Sequence, residues 1–86
     1  MDSYRFSKKI ERFEGGVIFH FSWTLDRYEA YAIMYNELFC FNMVQTSGGW
    51  DIEDPSEVPV LICGIKHMLA AFCDEHYQQM KSLLKK

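Results

Sequence analysis

Cys63, His67, Cys73 and His76 place two thiols and two imidazoles within fourteen residues. This is the donor set of a structural zinc site. Cys63 and His67 are four apart and share one helix face; Cys73 and His76 are three apart and share another. His67 and His76 are nine apart, which at ~100° per residue leaves them half a turn out of phase. One helix cannot bring all four to one ion, and zinc fingers meet this problem by breaking the chain between ligand pairs. The four therefore read as thiols and helical histidines, and neither a metal nor another cofactor is expected. Nucleophilic catalysis would need Cys40, Cys63 or Cys73 beside His20, His67 or His76. No nucleophile elbow or glycine-rich turn frames any Cys or Ser, so the chain is not expected to be an enzyme. His20 and Ser22, two apart, share a strand face and read as a half-covered sheet surface. Gly15-Gly16 and Gly48-Gly49 lack the Lys and Ser/Thr of a phosphate loop and read as turn glycines.

Two recognition features remain. Tyr28, Tyr31 and Tyr35, with Arg27 nearby, faintly suggest an aromatic platform on a sheet. The only basic cluster, Arg5, Lys8, Lys9 and Arg12, is diluted by Glu11 and Glu14. That speaks against nucleic acid, where neutralising phosphate drives binding. The second feature is acidic. Asp51, Glu53, Asp54 and Glu57 put four carboxylates in seven residues with no cation among them, more than the whole chain's net charge of −3. Trp50 stands at the edge of this run. A large aromatic beside a patch of acids is the composition of an interface anchor with a steering field. Trp50, Asp51, Glu53, Asp54 and Glu57 are therefore the candidate partner-binding residues. The plainer reading is that Asp54 and Glu57 cap a helix while Trp50 closes the core.

With 86 residues there is room for a single domain over 1–86. The chain is 49% hydrophobic and 16% aromatic, which excludes disorder. Three cysteines, all inside apolar runs, do not make a disulfide framework. They read as buried free thiols in a reducing compartment. No leader is apparent, and no apolar run approaches the ~20 residues of a membrane span. A cytoplasmic protein that makes no membrane contact is expected.

The elements that must position these residues follow from periodicity. Val17, Phe19, Phe21, Trp23 and Leu25 alternate with Ile18, His20, Ser22 and Thr24, the pattern of a strand with one apolar face. Residues 4–14 are ambiguous. Phe6, Ile10 and Phe13 have helical spacing, yet Glu14-Gly15-Gly16 can turn Lys8–Phe13 back as a hairpin strand, and the sheet needs partners. Residues 28–45 mix helix formers with strand formers. A lone two-stranded ribbon is marginal in water, so two strands are assigned, roughly Glu29–Tyr35 and Leu38–Gln45, with a turn at Asn36-Glu37. Residues 46–49 read as a loop, and Asp54-Pro55-Ser56-Glu57 as a helix start. From near Pro59 onward, Leu61, Ile62, Ile65, Met68, Leu69, Phe72, His76, Met80 and Leu83 form one apolar helical stripe.

The architecture expected is α+β, a small antiparallel sheet of three or four strands followed by one long C-terminal amphipathic helix. Phe19, Phe21, Trp23, Ile65, Leu69 and Phe72 should join its two layers. A helix ~10 Å wide cannot cover four strands spaced ~4.8 Å apart, so a second copy is expected to cover the remainder as a homodimer. The functional expectation is a non-catalytic protein-binding module. In this reading the chain is a small acidic inhibitor, adaptor or immunity-type protein that occludes a basic surface of its partner. The alternative is a small-molecule or single-stranded nucleic-acid binder using the aromatic sheet face.

Overall fold

A computed structural model describes residues 4–84. Five strands, β1 (Arg5–Ile10), β2 (Val17–Thr24), β3 (Arg27–Met34), β4 (Glu37–Thr46) and β5 (Gly49–Ile52), lie side by side in chain order, each antiparallel to the last. A 3-10 turn at Pro55–Glu57 and a short helix α1 (Val60–Cys63) lead into the long helix α2 (Lys66–Leu84). The alternation over residues 17–24 is what builds the core, whereas Leu25, expected on the same apolar face, stands 95% exposed in the β2–β3 turn with φ 53°. On β2, Phe19 and Phe21 point toward α2 and are buried, while Ile18, His20 and Ser22 point away. β3 repeats the rule with Tyr28, Ala30, Ala32 and Met34 inward, and β4 with Phe41 and Met43. From the helical layer Ile62, Ile65, Leu69, Cys73 and Met80 complete the core.

The expected α+β order is observed, and the ambiguous segment 4–14 does pair as a hairpin strand, but over Arg5–Ile10 rather than Lys8–Phe13. The sheet has five strands where three or four were expected. The fifth, Gly49–Ile52, falls in residues assigned to a loop and an acidic segment. It is only four residues long, and its alternation is confined to Trp50 and Ile52, both buried against the core. The turn between β3 and β4 sits one residue earlier than assigned, on Tyr35 and Asn36, whose φ values of 53° and 63° are those of a two-residue hairpin turn. Asp54 does not cap a helix through its side chain. It adopts φ 50°, ψ 60° and makes no capping hydrogen bond, and only the 3-10 turn follows.

Two packing expectations also change. Cys40 is exposed rather than buried, because it lies on the outward parity of β4, whereas Cys63 is half-buried and Cys73 buried. Trp23 and Phe72 are packed against the core but only partly covered. Lys8 Nζ lies 5.5 Å from the centroid of the Phe72 ring. Among the described residues no helix is long and apolar enough to cross a membrane.

Candidate functional site

The molecule measures 43 × 29 × 19 Å. Its least dimension is that of one sheet plus one helix layer. The helices take one face of the sheet and leave the other uncovered. Strand register fixes what the uncovered face displays. Ser7 lies opposite His20, His20 opposite Tyr31, and Tyr31 opposite Cys40, which makes one row across four strands. The next row runs Arg5, Ser22, Glu29, Asn42. On the other side of the histidine row, Lys9 pairs with Ile18 and Ile33 with Leu38.

These rows differ in chemistry. Ile18, Ile33 and Leu38 are 48%, 64% and 61% exposed, with Tyr31 beside them at 46%. That is a contiguous apolar patch in the middle of a solvent-facing sheet. The two rows beside it line a concavity of about 560 Å³ that includes Arg5, Ser7, His20, Glu29, Tyr31 and Asn42. Inside it, Ser7 Oγ and His20 Nδ1 are hydrogen-bonded at 2.9 Å, and the His20 ring stacks on Tyr31 at 4.7 Å and 20°. The hydroxyl–imidazole pair fixes the His20 ring and leaves its second nitrogen for a ligand or solvent.

The acidic candidates lie at the opposite edge of the sheet from β1. Trp50 is 8% exposed, its indole packed edge-on against Trp23 and close to Tyr28 and Tyr77. Asp51 forms an ion pair with Lys66 at 3.3 Å. The backbone amide of Ile52, with Lys66, holds the Asp51 carboxyl below the usual carboxylate range. Glu53 accepts hydrogen bonds from Arg27 Nη1 at 2.8 Å and from Asn42 Nδ2 at 3.3 Å. Arg27 also binds Asp26 at 3.0 Å. That bond leads the interactions raising its pKa. Asp54 and Glu57 are exposed and take part in no ion pair among the described residues. The five residues are therefore neighbours in space, with Trp50 turned into the core, Asp51 and Glu53 paired internally, and Asp54 and Glu57 facing solvent.

The aromatic platform divides between faces. Tyr28 is fully buried beneath α2, its hydroxyl hydrogen-bonded to His76 Nδ1 at 2.6 Å, and burial pushes its pKa up. Tyr31 is on the uncovered face, and Tyr35 stands in the β3–β4 turn. The cysteines and histidines of the helical region also separate. Cys73 is in the core, His76 stacks on Phe6 at 4.6 Å, His67 is exposed, and Cys63 Sγ lies 3.6 Å from the Pro55 carbonyl. Among the described residues no three of His, Cys, Asp and Glu are grouped as metal ligands.

The row Ser7, His20, Tyr31, Cys40 was not anticipated. Each member has outward parity in its own strand, but their alignment depends on hairpin registers that a sequence does not print. No family model, curated protein or solved structure matches the chain.

Proposed function

We propose that the chain is a non-catalytic protein-binding module whose working surface is the uncovered face of the sheet. One observation carries this reading. Ile18, Ile33 and Leu38, with Tyr31 beside them, form an exposed apolar patch on a regular, rigid element. Contiguous apolar surface of this kind marks interaction sites. An apolar centre with charged groups at its borders is also the usual anatomy of an interface. The acidic edge supplies a rim rather than an anchor. Asp54 and Glu57, with the Asp26–Arg27–Glu53 cluster beside them, would speed the approach of a partner with a basic surface, as an inhibitor or adaptor of such a protein requires. An exposed free thiol at Cys40 suits a reducing compartment such as the cytoplasm.

Site-specific photocrosslinking tests this reading. A crosslinker replacing Ile33 should yield a discrete protein adduct in cells that make the chain, and one replacing the exposed Gln78 on α2 should not. Equal labelling from both positions, or none from either, contradicts it.

A second reading is favoured by the concavity, where a stacked His20–Tyr31 pair adjoins Ser7 and Glu29. A small molecule or a single-stranded nucleic acid would lay a planar group against Tyr31. A steep fall of affinity with salt would mark the nucleic acid, and a salt-independent Kd the small molecule.

A further inference from the structure

The uncovered face carries opposite charges on its two edges, and this singles out one occupant. Resting on the reading of that face as a protein-binding surface, we infer that it binds a second copy of this chain. The two sheets pack face to face about a two-fold axis parallel to the strands and passing over β3.

Strand order is the first support. With the strands in the order β1-β2-β3-β4-β5, the basic cluster lies at one border and the acidic segment at the other. Arg5 and Lys9 have outward parity on β1. Glu53 continues from β5, with its amide donating to the Asn42 carbonyl at 2.9 Å, and Asp54 follows. A two-fold axis along β3 lays β1 of each copy over β5 of the other. Arg5 and Lys9, the latter also paired with Glu11 at 3.5 Å, then meet the side of the second copy that carries the exposed Asp54 and Glu57, and the same match occurs twice. A two-fold interface must be self-complementary in this way. Arg5 and Glu53 both align with Asn42 in the ladder of rows, so they fall at the same height along the axis.

The apolar row obeys the same symmetry. Ile33, on β3, lies next to the axis and meets Ile33 of the second copy. Ile18, on β2, meets Leu38, on β4, in both directions. All three exposed aliphatic residues of the face are thus covered by one another. Area sets the strength of the pair. The five strands hold 6, 8, 8, 10 and 4 residues, and at ~3.3 Å by ~4.8 Å for each residue the face spans ~570 Å². That is below the ~800 Å² per partner of a standard interface and suits a weak, concentration-dependent pair. Glu29 and Arg27 oppose the pairing, because both have outward parity on β3 and each faces its own copy across the axis.

That opposition gives the test a signature that only this arrangement produces. Sedimentation equilibrium should be run from 1 to 200 µM on the whole chain and two variants, with circular dichroism confirming that each is folded. The wild-type chain should dimerise. Ile33→Glu should raise Kd by at least ~100-fold, because two carboxylates are then buried against each other at the axis. Glu29→Gln should lower Kd by roughly tenfold at neutral pH by removing a like-charge contact. A wild-type monomer at 200 µM overturns the inference, and so does a dimer indifferent to Ile33→Glu. The broader protein-binding reading survives a wild-type monomer if the crosslinker at position 33 still captures a different protein, and fails with it if that position captures nothing.

Discussion

Cys73 shows how burial changes the chemistry of a single group. Its thiol is fully buried in the core, and desolvation of the thiolate pushes its pKa from the ordinary 9 up to about 12. The neutral thiol is therefore favoured by folding, and the sign of the pH effect follows. Below pH 9 both folded and unfolded chains hold the proton, and the contribution is complete. Between 9 and about 12 only the unfolded chain ionises, so stability falls as pH rises through that window. Tyr28, whose hydroxyl is also raised by burial, adds to the fall above pH 10. Denaturant midpoints should decline from pH 9 upward, and Cys73→Ala should flatten the decline between 9 and 10, where Tyr28 contributes little. A midpoint independent of pH in this range would show that Cys73 is solvated. Cys40 sits at the other extreme, exposed on the outward parity of β4. A thiol reagent should modify Cys40 in the native protein and reach Cys73 only on unfolding.

At the scale of elements, α2 and the sheet share one core, and their contacts are not equal. Leu69 is fully buried, while Phe72 is only partly covered and lies beneath the Lys8 side chain. Leu69→Ala should cost about 2–5 kcal/mol, and Phe72→Ala less than the ~3–5 kcal/mol of a fully buried phenylalanine. Urea melts rank the two, and a larger loss for Phe72→Ala contradicts this packing. The strands β2, β3 and β4 and the helix α2 were legible in the sequence, because each spans eight or more residues and shows its period several times. β5 was not, because Trp50 and Ile52 offer a single repeat within a run of acids that reads as loop. Those acids are held by partners far away in sequence, Arg27 and Lys66, which no local pattern reveals. Tyr28 was separable from Tyr31 and Tyr35 by parity alone. Three residues apart on a strand means opposite faces, and grouping the tyrosines by type passed over that signal. The row from Ser7 to Cys40 needed three hairpin registers at once. All three depend on turns with positive φ, at Gly15-Gly16, at Leu25 and at Tyr35-Asn36.

The whole molecule is a two-layer slab with one face finished and one bare. Its helices cover the inner face, burying Phe19, Tyr28, Met43 and Ile52 and leaving Phe6, Trp23 and Phe39 partly covered, and its other face leaves three aliphatic side chains and a stacked histidine–tyrosine pair in contact with water. Opposite charges stand at the two edges of that bare face. Both the protein-binding reading and the two-fold pairing require the face to be covered when the molecule works. Isoleucine-methyl NMR with a soluble paramagnetic probe reads this directly, because Ile18 and Ile33 lie on the bare face while Ile52, Ile62 and Ile65 lie in the core. At several hundred micromolar the Ile18 and Ile33 methyls should be as well shielded from the probe as the core methyls, and should lose that shielding on dilution. Full broadening of both by the probe at every concentration, with the core methyls still shielded, would contradict the two-fold pairing and leave the bare face open in solution.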